Sequence, residues 1–336
     1  MVPLNQKMKH ITILVPNGEN NLSSIVGAYK ILSRANRYWV EKGNTPGFKI
    51  ELAGSAKKIG FHEGLFSVQP HTDIGSIKKT NLVIIPSLNH NYETALKGNE
   101  KMIRWIADQY ETGAEIASIC TGAFLLAATG LLNNRSCSTH WSFARTLQNL
   151  YPEIRVKPDL LITDENGLYT NGGAYSFLNL LLYLVEKYFD RSTAIFCSKV
   201  FQIEMDRQRQ SEFILFKGLK SHPDETIKDA QLYMEKHLSS MISIDQLAAN
   251  FSIGRRNFDR RFIKATGHTP LDYLQRLKIE AAKKAFETSA QNISEVMYEV
   301  GYTDIKSFRE LFKKITGLSP LEYRKKYNKT ASLTIH

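Results

Sequence analysis

The feature that most constrains this chain of 336 residues is that it repeats itself near its C-terminus. Phe258, Phe262, Thr266, Gly267, Pro270, Leu271 and Tyr273 return as Phe308, Phe312, Thr316, Gly317, Pro320, Leu321 and Tyr323, all shifted by the same number of residues. Such self-similarity means one supersecondary unit used twice. Within each copy the two phenylalanines stand four apart, on one face of a helix, and pack inward. The glycine suits a helix C-terminus with positive φ, and the proline after it suits the first turn of a new helix. Upstream lie shorter helical stretches, Ile244–Asn250 and Ser294–Glu299. Each is followed by a tight turn, Phe251-Ser252-Ile253-Gly254 in the first copy and Val300-Gly301-Tyr302-Thr303 in the second, which is one residue longer. Short helix, tight turn and second helix make a helix-turn-helix unit.

With Phe258, Phe262 and Ala265 inward, the outer face of the first recognition helix carries Arg256, Asp259 and Arg260, flanked by Asn257 and Lys264. Arginine is the side chain best fitted to a bidentate contact with guanine O6 and N7 in a major groove. Lys264, Lys278, Lys283 and Lys284 suit phosphates. In the second copy the outer face offers Lys306, Arg309 and Glu310, with Lys313 and Lys314 behind. Charge placement agrees. The chain has a net charge of +11 and a pI near 9.4, and Phe251–Lys284 holds nine basic and three acidic residues. A polyanionic partner, double-stranded DNA, is expected.

Residues 224–327 resemble the DNA-binding domain of the AraC/XylS family of transcription regulators. The resemblance is carried by Val300-Gly301-Tyr302, Phe308 with Phe312, and Gly317-x-Ser319-Pro320-x-x-Tyr323-Arg324. It implies seven helices, with a long one near Leu271–Phe286 holding the two units apart. It also implies recognition helices in successive major grooves ~34 Å apart. The chain departs from the family pattern at three places. Gly254 stands where a capping serine is common, Met297 replaces a usual alanine, and Glu310 occupies a position where a base-reading arginine often sits.

The first half is organised differently. Ile11–Val15, Phe48–Ala53, Leu82–Ile85 and Glu115–Ile119 read as strands. Leu22–Val40, Asn99–Glu111 and one long region from Tyr175 to about Phe201 read as helical. Such alternation predicts a mostly parallel sheet covered by helices. The three cysteines, Cys120, Cys137 and Cys197, form neither a disulfide framework nor a zinc pattern. No cofactor and no metal site is expected. With no signal peptide and no membrane span in view, the expected location is cytoplasmic.

The stretch 115–124 places Cys120 between an apolar strand and a helix, with Ser118 and Gly122 at minus two and plus two, as a sharp strand-nucleophile-helix turn requires. A helix N-terminus there would favour thiolate. Ile119-Cys120-Thr121-Gly122-Ala123, Gly130-Leu131-Leu132, Thr139-His140-Trp141, Leu168 to Gly173 and Arg34-Ala35-Asn36 together resemble the DJ-1/PfpI group of the class I glutamine amidotransferase-like superfamily. The likeness is greatest to the version fused ahead of AraC-type domains. This resemblance covers roughly residues 8–205 and implies a flavodoxin-like α/β sandwich with Cys120 on the elbow. Enzymatic members carry a glutamate on the first helix, where alignment through Arg34-Ala35-Asn36 places Lys30, and a histidine after the cysteine, where Thr121 stands. Asn179 occupies a position where related regulators often carry aspartate.

The expected architecture is therefore a flavodoxin-like α/β sensor and dimerisation domain (8–205), a linker (206–223), and an all-α DNA-binding domain (224–328). Its helix-turn-helix units fall at about 243–267 and 293–317. The expected function is sequence-specific transcription regulation controlled by a small metabolite, held near Lys30, Cys120, Thr121, His140 and Gly173, with catalytic machinery lost. A homodimer formed through the N-terminal domain and contact with RNA polymerase are further expectations. Two alternatives remain open: a cysteine-dependent amidase or glyoxalase-like enzyme, and a Cys120 redox sensor.

Overall fold

The computed structural model describes residues 8–89, 91–205, 209–214, 216, 218–220 and 222–328, except the Glu212 side chain. The chain forms two compact units, 1–210 and 211–336. Of the stretch expected to be a linker, residues 206–208, 215, 217 and 221 lie outside the described residues. No helix among the described residues is long and apolar enough to cross a membrane.

Unit 1 runs β1 (Lys9–Val15), α1 (Leu22–Glu41), β2 (Phe48–Gly54), β3 (Ile59–Phe61), β4 (Phe66–Val68), β5 (Thr72–Asp73), β6 (Leu82–Ile85), α2 (Tyr92–Gly98), α3 (Glu100–Glu111) and β7 (Glu115–Ile119). It continues through α4 (Ala123–Ala128), β8 (Ser136–Cys137), α5 (Ala144–Leu150), β9 (Arg155–Val156), β10 (Ile162–Glu165), β11 (Leu168–Asn171), α6 (Phe177–Tyr188) and α7 (Arg191–Phe201). Seven strands form one sheet in the order β10-β11-β7-β6-β1-β2-β5, parallel except for the β10–β11 pair. The central strand β6 is apolar and buried along its length because both faces are covered. One core packs α1, α6 and α7 against Ile11, Ile13 and Ile84. The other packs α3 and α4 against Val83, Ile85 and Ile116. A flavodoxin-like α/β layering results.

The single long helix expected from Tyr175 to Phe201 is two helices. Phe189 leaves helical geometry at φ −114°, ψ −99°. Asp190 then caps α7, its carboxylate accepting from the Thr193 amide at 2.7 Å. An aspartate that can satisfy orphan amides starts a new helix more favourably than it continues an old one.

Unit 2 contains α8 (Glu225–Lys236), α9 (Ile244–Asn250), α10 (Arg255–Thr266), α11 (Pro270–Thr288), α12 (Ile293–Glu299), α13 (Ile305–Thr316) and α14 (Pro320–Tyr327). The repeat appears as repeated geometry. Gly267 and Gly317 end α10 and α13 in the left-handed region at φ +76° and +83°. Thr269 and Ser319 cap the following helices, each of which opens on proline. Phe258, Phe262 and Tyr273 pack in the first core, and Phe308, Phe312 and Tyr323 in the second. Truncating one of these buried phenylalanines to alanine should cost about 3–5 kcal/mol. The long helix α11 contributes to both cores, through Leu274 and Leu277 to one and Ile279, Ala282 and Phe286 to the other.

Candidate nucleic-acid interface and elbow site

The two recognition helices begin differently. Gly254 caps α10 without a side-chain bond, whereas Asp304 caps α13 by accepting from the Ser307 amide at 2.7 Å. The longer turn of the second unit carries Gly301 at φ +74°, and the shorter one turns at Ser252, φ +54°.

On α10, Arg256, Asn257, Arg260 and Lys264 are exposed, opposite the buried Phe258, Phe262 and Ala265. Arg260 Nη2 donates to Asn257 Oδ1 at 3.0 Å, which draws these two groups into one polar cluster. Asp259 is differently placed. Arg255, which the sequence reading passed over, reaches both its carboxylate oxygens at 3.0 Å and also pairs with Asp245 at 2.9 Å. Asp259 thus holds Arg255 in place. Arg261 is turned away from the outer face and pairs with Asp224. On α13, Lys306, Arg309, Glu310, Lys313 and Lys314 are exposed, opposite Phe308 and Phe312. None of these five has an ion pair or side-chain hydrogen bond among the described residues.

Two lysines of α11 depart from the phosphate-binding expectation. Lys278 is 5% exposed and Lys283 2%. Lys278 Nζ donates to the Ser240 and Gly301 carbonyls at 3.1 and 3.2 Å. Lys283 Nζ donates to the Ile214 carbonyl at 2.7 Å and pairs with Glu280. Their ammonium groups serve the interior, and only Lys284 of this trio is exposed.

In unit 1, Cys120 follows β7 with φ +52°, the left-handed region that an elbow imposes and that costs a non-glycine residue about 1 kcal/mol or more. Gly122 makes the turn possible. A Cβ there would stand 2.5 Å from the Pro86 carbonyl oxygen and 2.9 Å from that of Ile85, so only glycine lets α4 pass this close to β6. Cys120 is 5% exposed, and burial pushes its thiol pKa up against the weaker opposing pull of Ser87, the Thr121 hydroxyl and the Thr121 and His140 amides. The thiolate favoured by a helix N-terminus is outweighed by desolvation. Thr121 Oγ1 donates to the Leu88 carbonyl at 2.6 Å and contacts Ser87 Oγ at 2.8 Å.

His140 Nδ1 is occupied by Ser142, at 2.6 Å from its hydroxyl and 3.2 Å from its amide, and burial lowers the imidazole pKa. Gly173 turns at φ +84° against Ser176, where a Cβ would meet the hydroxyl at 2.3 Å.

The placement of Lys30 is corrected. It is exposed on the outer side of α1. The part of α1 that reaches the elbow is its first turn, where Ser24 Oγ accepts from the Ser87 amide at 3.1 Å. Lys30 stands six residues further along the helix than Ser24, on its exposed side.

Sequence reasoning missed two groups near the elbow. The Tyr92 ring stacks on Phe124 with centroids 3.8 Å apart, and burial pushes its phenol pKa up, with the neighbouring Cys120 adding to the shift. Asn20 pairs through its backbone with Leu88. Tyr92 Oη and Asn20 Oδ1 are both buried without a hydrogen-bond partner among the described residues. No local motif could have flagged either, since Asn20 precedes α1 and Tyr92 opens α2, both far from Cys120 in sequence.

Two cavities of about 450 Å³ open on unit 1. One borders Tyr29, Asn36 and Phe48, and the other Asn179, Tyr183, Asp164 and Met205. Neither is lined by Cys120, Thr121, His140 or Gly173. Asn179 donates to the Glu204 carbonyl at 2.6 Å.

Comparison with known proteins agrees with both halves. A model described as the DJ-1/PfpI family matches residues 10–187, and one described as a helix-turn-helix domain matches residues 247–326. The HTH-type transcriptional regulator GbdR of Pseudomonas aeruginosa is 24% identical over 223 residues, 66% of this chain and 60% of that protein. CdhR of the same species, also an HTH-type transcriptional regulator, is 23% identical over 260 residues, 77% of this chain and 76% of that protein. A solved structure assigned to a transcriptional regulator from Vibrio parahaemolyticus superposes with a TM-score of 0.52 at 27% identity, covering 58% of this chain and 99% of its own. The alignment with GbdR thus spans less than two thirds of that relative's length.

Proposed function

The chain belongs to the DJ-1/PfpI family and carries an AraC-type helix-turn-helix domain C-terminal to it, and on that premise we propose that it is a sequence-specific DNA-binding transcription regulator. The observation that carries this reading is the pair of recognition helices. Each buries a phenylalanine face and leaves a basic face in solvent. Arg256, Asn257 and Arg260 on α10 have the donor geometry to read base edges. Lys264, Lys306 and Lys313 serve phosphates. Arg309 and Glu310 face the same groove, where Glu310 can accept from cytosine N4.

The N-terminal unit acts as the sensor in this reading. The buried oxygens of Tyr92, near Cys120, and of Asn20, whose backbone pairs with Leu88, have no hydrogen-bond partner among the described residues and offer hydrogen bonds to an effector, since an unpaired buried polar group is costly until it is satisfied. The effector changes DNA affinity only through unequal affinity for two arrangements of the protein. The unit also serves as the dimerisation surface. α1 leaves Val26, Tyr29 and Val40 exposed along one side, and light scattering of the full chain tests that role.

The decisive experiment is selection of bound fragments from native genomic DNA, with and without candidate small metabolites. Enrichment of one shared sequence, lost in the Arg256→Ala/Arg260→Ala protein, is the expected result. Recovery of fragments with no common sequence would overturn the reading.

A further inference from the structure

We propose that Lys278 is a positioning residue that fixes the second recognition helix relative to the first, and so sets the spacing between the two base-pair blocks the protein reads. The inference rests on the DNA-binding reading above.

Three observations converge on Lys278. Its ammonium sits in the interior of unit 2 and donates to two carbonyls from separate segments, one just ahead of the first helix-turn-helix unit and one inside the second. Ser240 lies in the loop between α8 and α9, and Gly301 lies in the turn between α12 and α13. The Tyr302 ring lies 5.4 Å from the same nitrogen. The turn itself is pressed against the α8–α9 loop that leads into the first unit. A Cβ on Gly301 would stand 2.7 Å from the Ser239 oxygen, 2.9 Å from that of Leu238 and 2.6 Å from Lys278 Nζ. Glycine with positive φ is what permits that approach.

Burying an ammonium is costly unless it is well coordinated. Here the coordinating oxygens come from both sides of the seam, so the favourable geometry exists only when the two units hold one relative placement. The helix α11 connects the units covalently, but a helix alone does not fix how a neighbouring turn leans on it. Lys278 supplies that lateral tie.

The test measures binding of the full chain to its selected site and to versions with one or two base pairs inserted between the two contacted blocks. Wild type, Lys278→Met, Lys278→Arg and Lys284→Met are compared. For wild type and Lys284→Met, one inserted base pair should cost roughly tenfold or more in affinity. For Lys278→Met the ratio should shrink to below roughly threefold, and Lys278→Arg should restore most of the discrimination. Uniform weakening of Lys278→Met across all spacings, with the salt slope reduced by about one, would mean that Lys278 is a phosphate contact and would overturn the proposal.

A readout without DNA separates this proposal from the function it rests on. Hydrogen exchange in full-length Lys278→Met should rise at residues 238–243 and 300–304 while α10 and α13 stay protected. Unchanged exchange in both segments overturns the tie, whatever the DNA result. Should the methionine protein fail to fold, Gly301→Ala strains the same seam from the other side and should give the same exchange pattern.

Discussion

Arg261 grips Asp224 with two parallel bonds, Nη2 to Oδ1 at 2.6 Å and Nε to Oδ2 at 2.9 Å, and so ties the recognition helix α10 to the first residue of the helix bundle. Asp224 also caps α8, its Oδ1 accepting from the Ile227 amide at 3.2 Å. The Arg261 guanidinium holds the Asp224 carboxyl below its usual range. Asp224→Ala loses cap and ion pair together and should destabilise unit 2 by about 1–2 kcal/mol. Asp224→Asn keeps the cap and should cost less, about 0.5–1 kcal/mol. Because the folded-state pKa is depressed, the ion-pair contribution is complete above the unfolded value of about 4 and fades as pH falls through the folded value. Chemical denaturation at pH 7 and pH 3 should therefore show a larger Asp224→Asn penalty at neutral pH than at pH 3.

Base reading and phosphate gripping give different signatures. Arg256→Ala and Arg260→Ala should each lower discrimination between the selected site and a mismatched one by about 1–3 kcal/mol. Lys306→Ala and Lys313→Ala should instead weaken all DNA alike and reduce the slope of log affinity against log salt by about one each. Titrations at several salt concentrations distinguish the two, and a salt-only effect of the arginine substitutions would refute base reading by α10.

Gly254 is an N-cap with extended geometry, φ −61° and ψ 139°, and open space where a side chain would go. Gly254→Ser should stabilise unit 2 by about 0.5–1 kcal/mol, through a side-chain cap and a less flexible unfolded chain. A rise in denaturation midpoint with unchanged slope is the expected measurement.

All three thiols are buried. Burial raises the Cys120 thiol pKa, takes that of Cys197 to about 11 and takes that of Cys137 to about 12. Alkylation of the native protein at pH 7.5 should therefore be at least about tenfold slower than that of a free thiol, and denaturant should release all three cysteines. Rapid native labelling of Cys120, with altered DNA affinity, would instead support a redox-sensing role.

Much of unit 2 was legible in the chain because its signals are local. The helix stops at Gly267 and Gly317 and the prolines after them report backbone geometry directly. The alternation in unit 1 is equally local, and it forecast the parallel sheet. Strands β3 to β5 and β8 to β11 passed unread, being only two to four residues long, too brief for any period to show. The break at Phe189-Asp190 was masked by apolar residues on both sides, although Asp190 is itself a capping signal.

The candidate sites divide along the same line. The outer face of α10 could be deduced from Phe258 and Phe262 alone, because a helix that buries one face must expose the other. Lys278 shows the limit of that logic. It stands four residues after Leu274 and four before Ala282, on the stripe that faces inward, yet its charge argued for solvent. What overruled the charge was a pair of backbone carbonyls from Ser240 and Gly301, 38 and 23 residues away.

The repeat determined by itself that the chain would build two helix-turn-helix units, because helix periodicity, caps and turns are properties of neighbouring residues. Tertiary structure alone decided which charges stay free to meet a partner and which are spent inside. Lys284 remains in solvent while Lys278 and Lys283 do not, Arg260 stays on the outer face while Arg261 binds Asp224, and the elbow is reached by Ser24 and Tyr92, with Lys30 left outside. Each outcome depends on where distant backbone and side-chain acceptors come to lie, and the cost of leaving a buried charge unpaired enforces it.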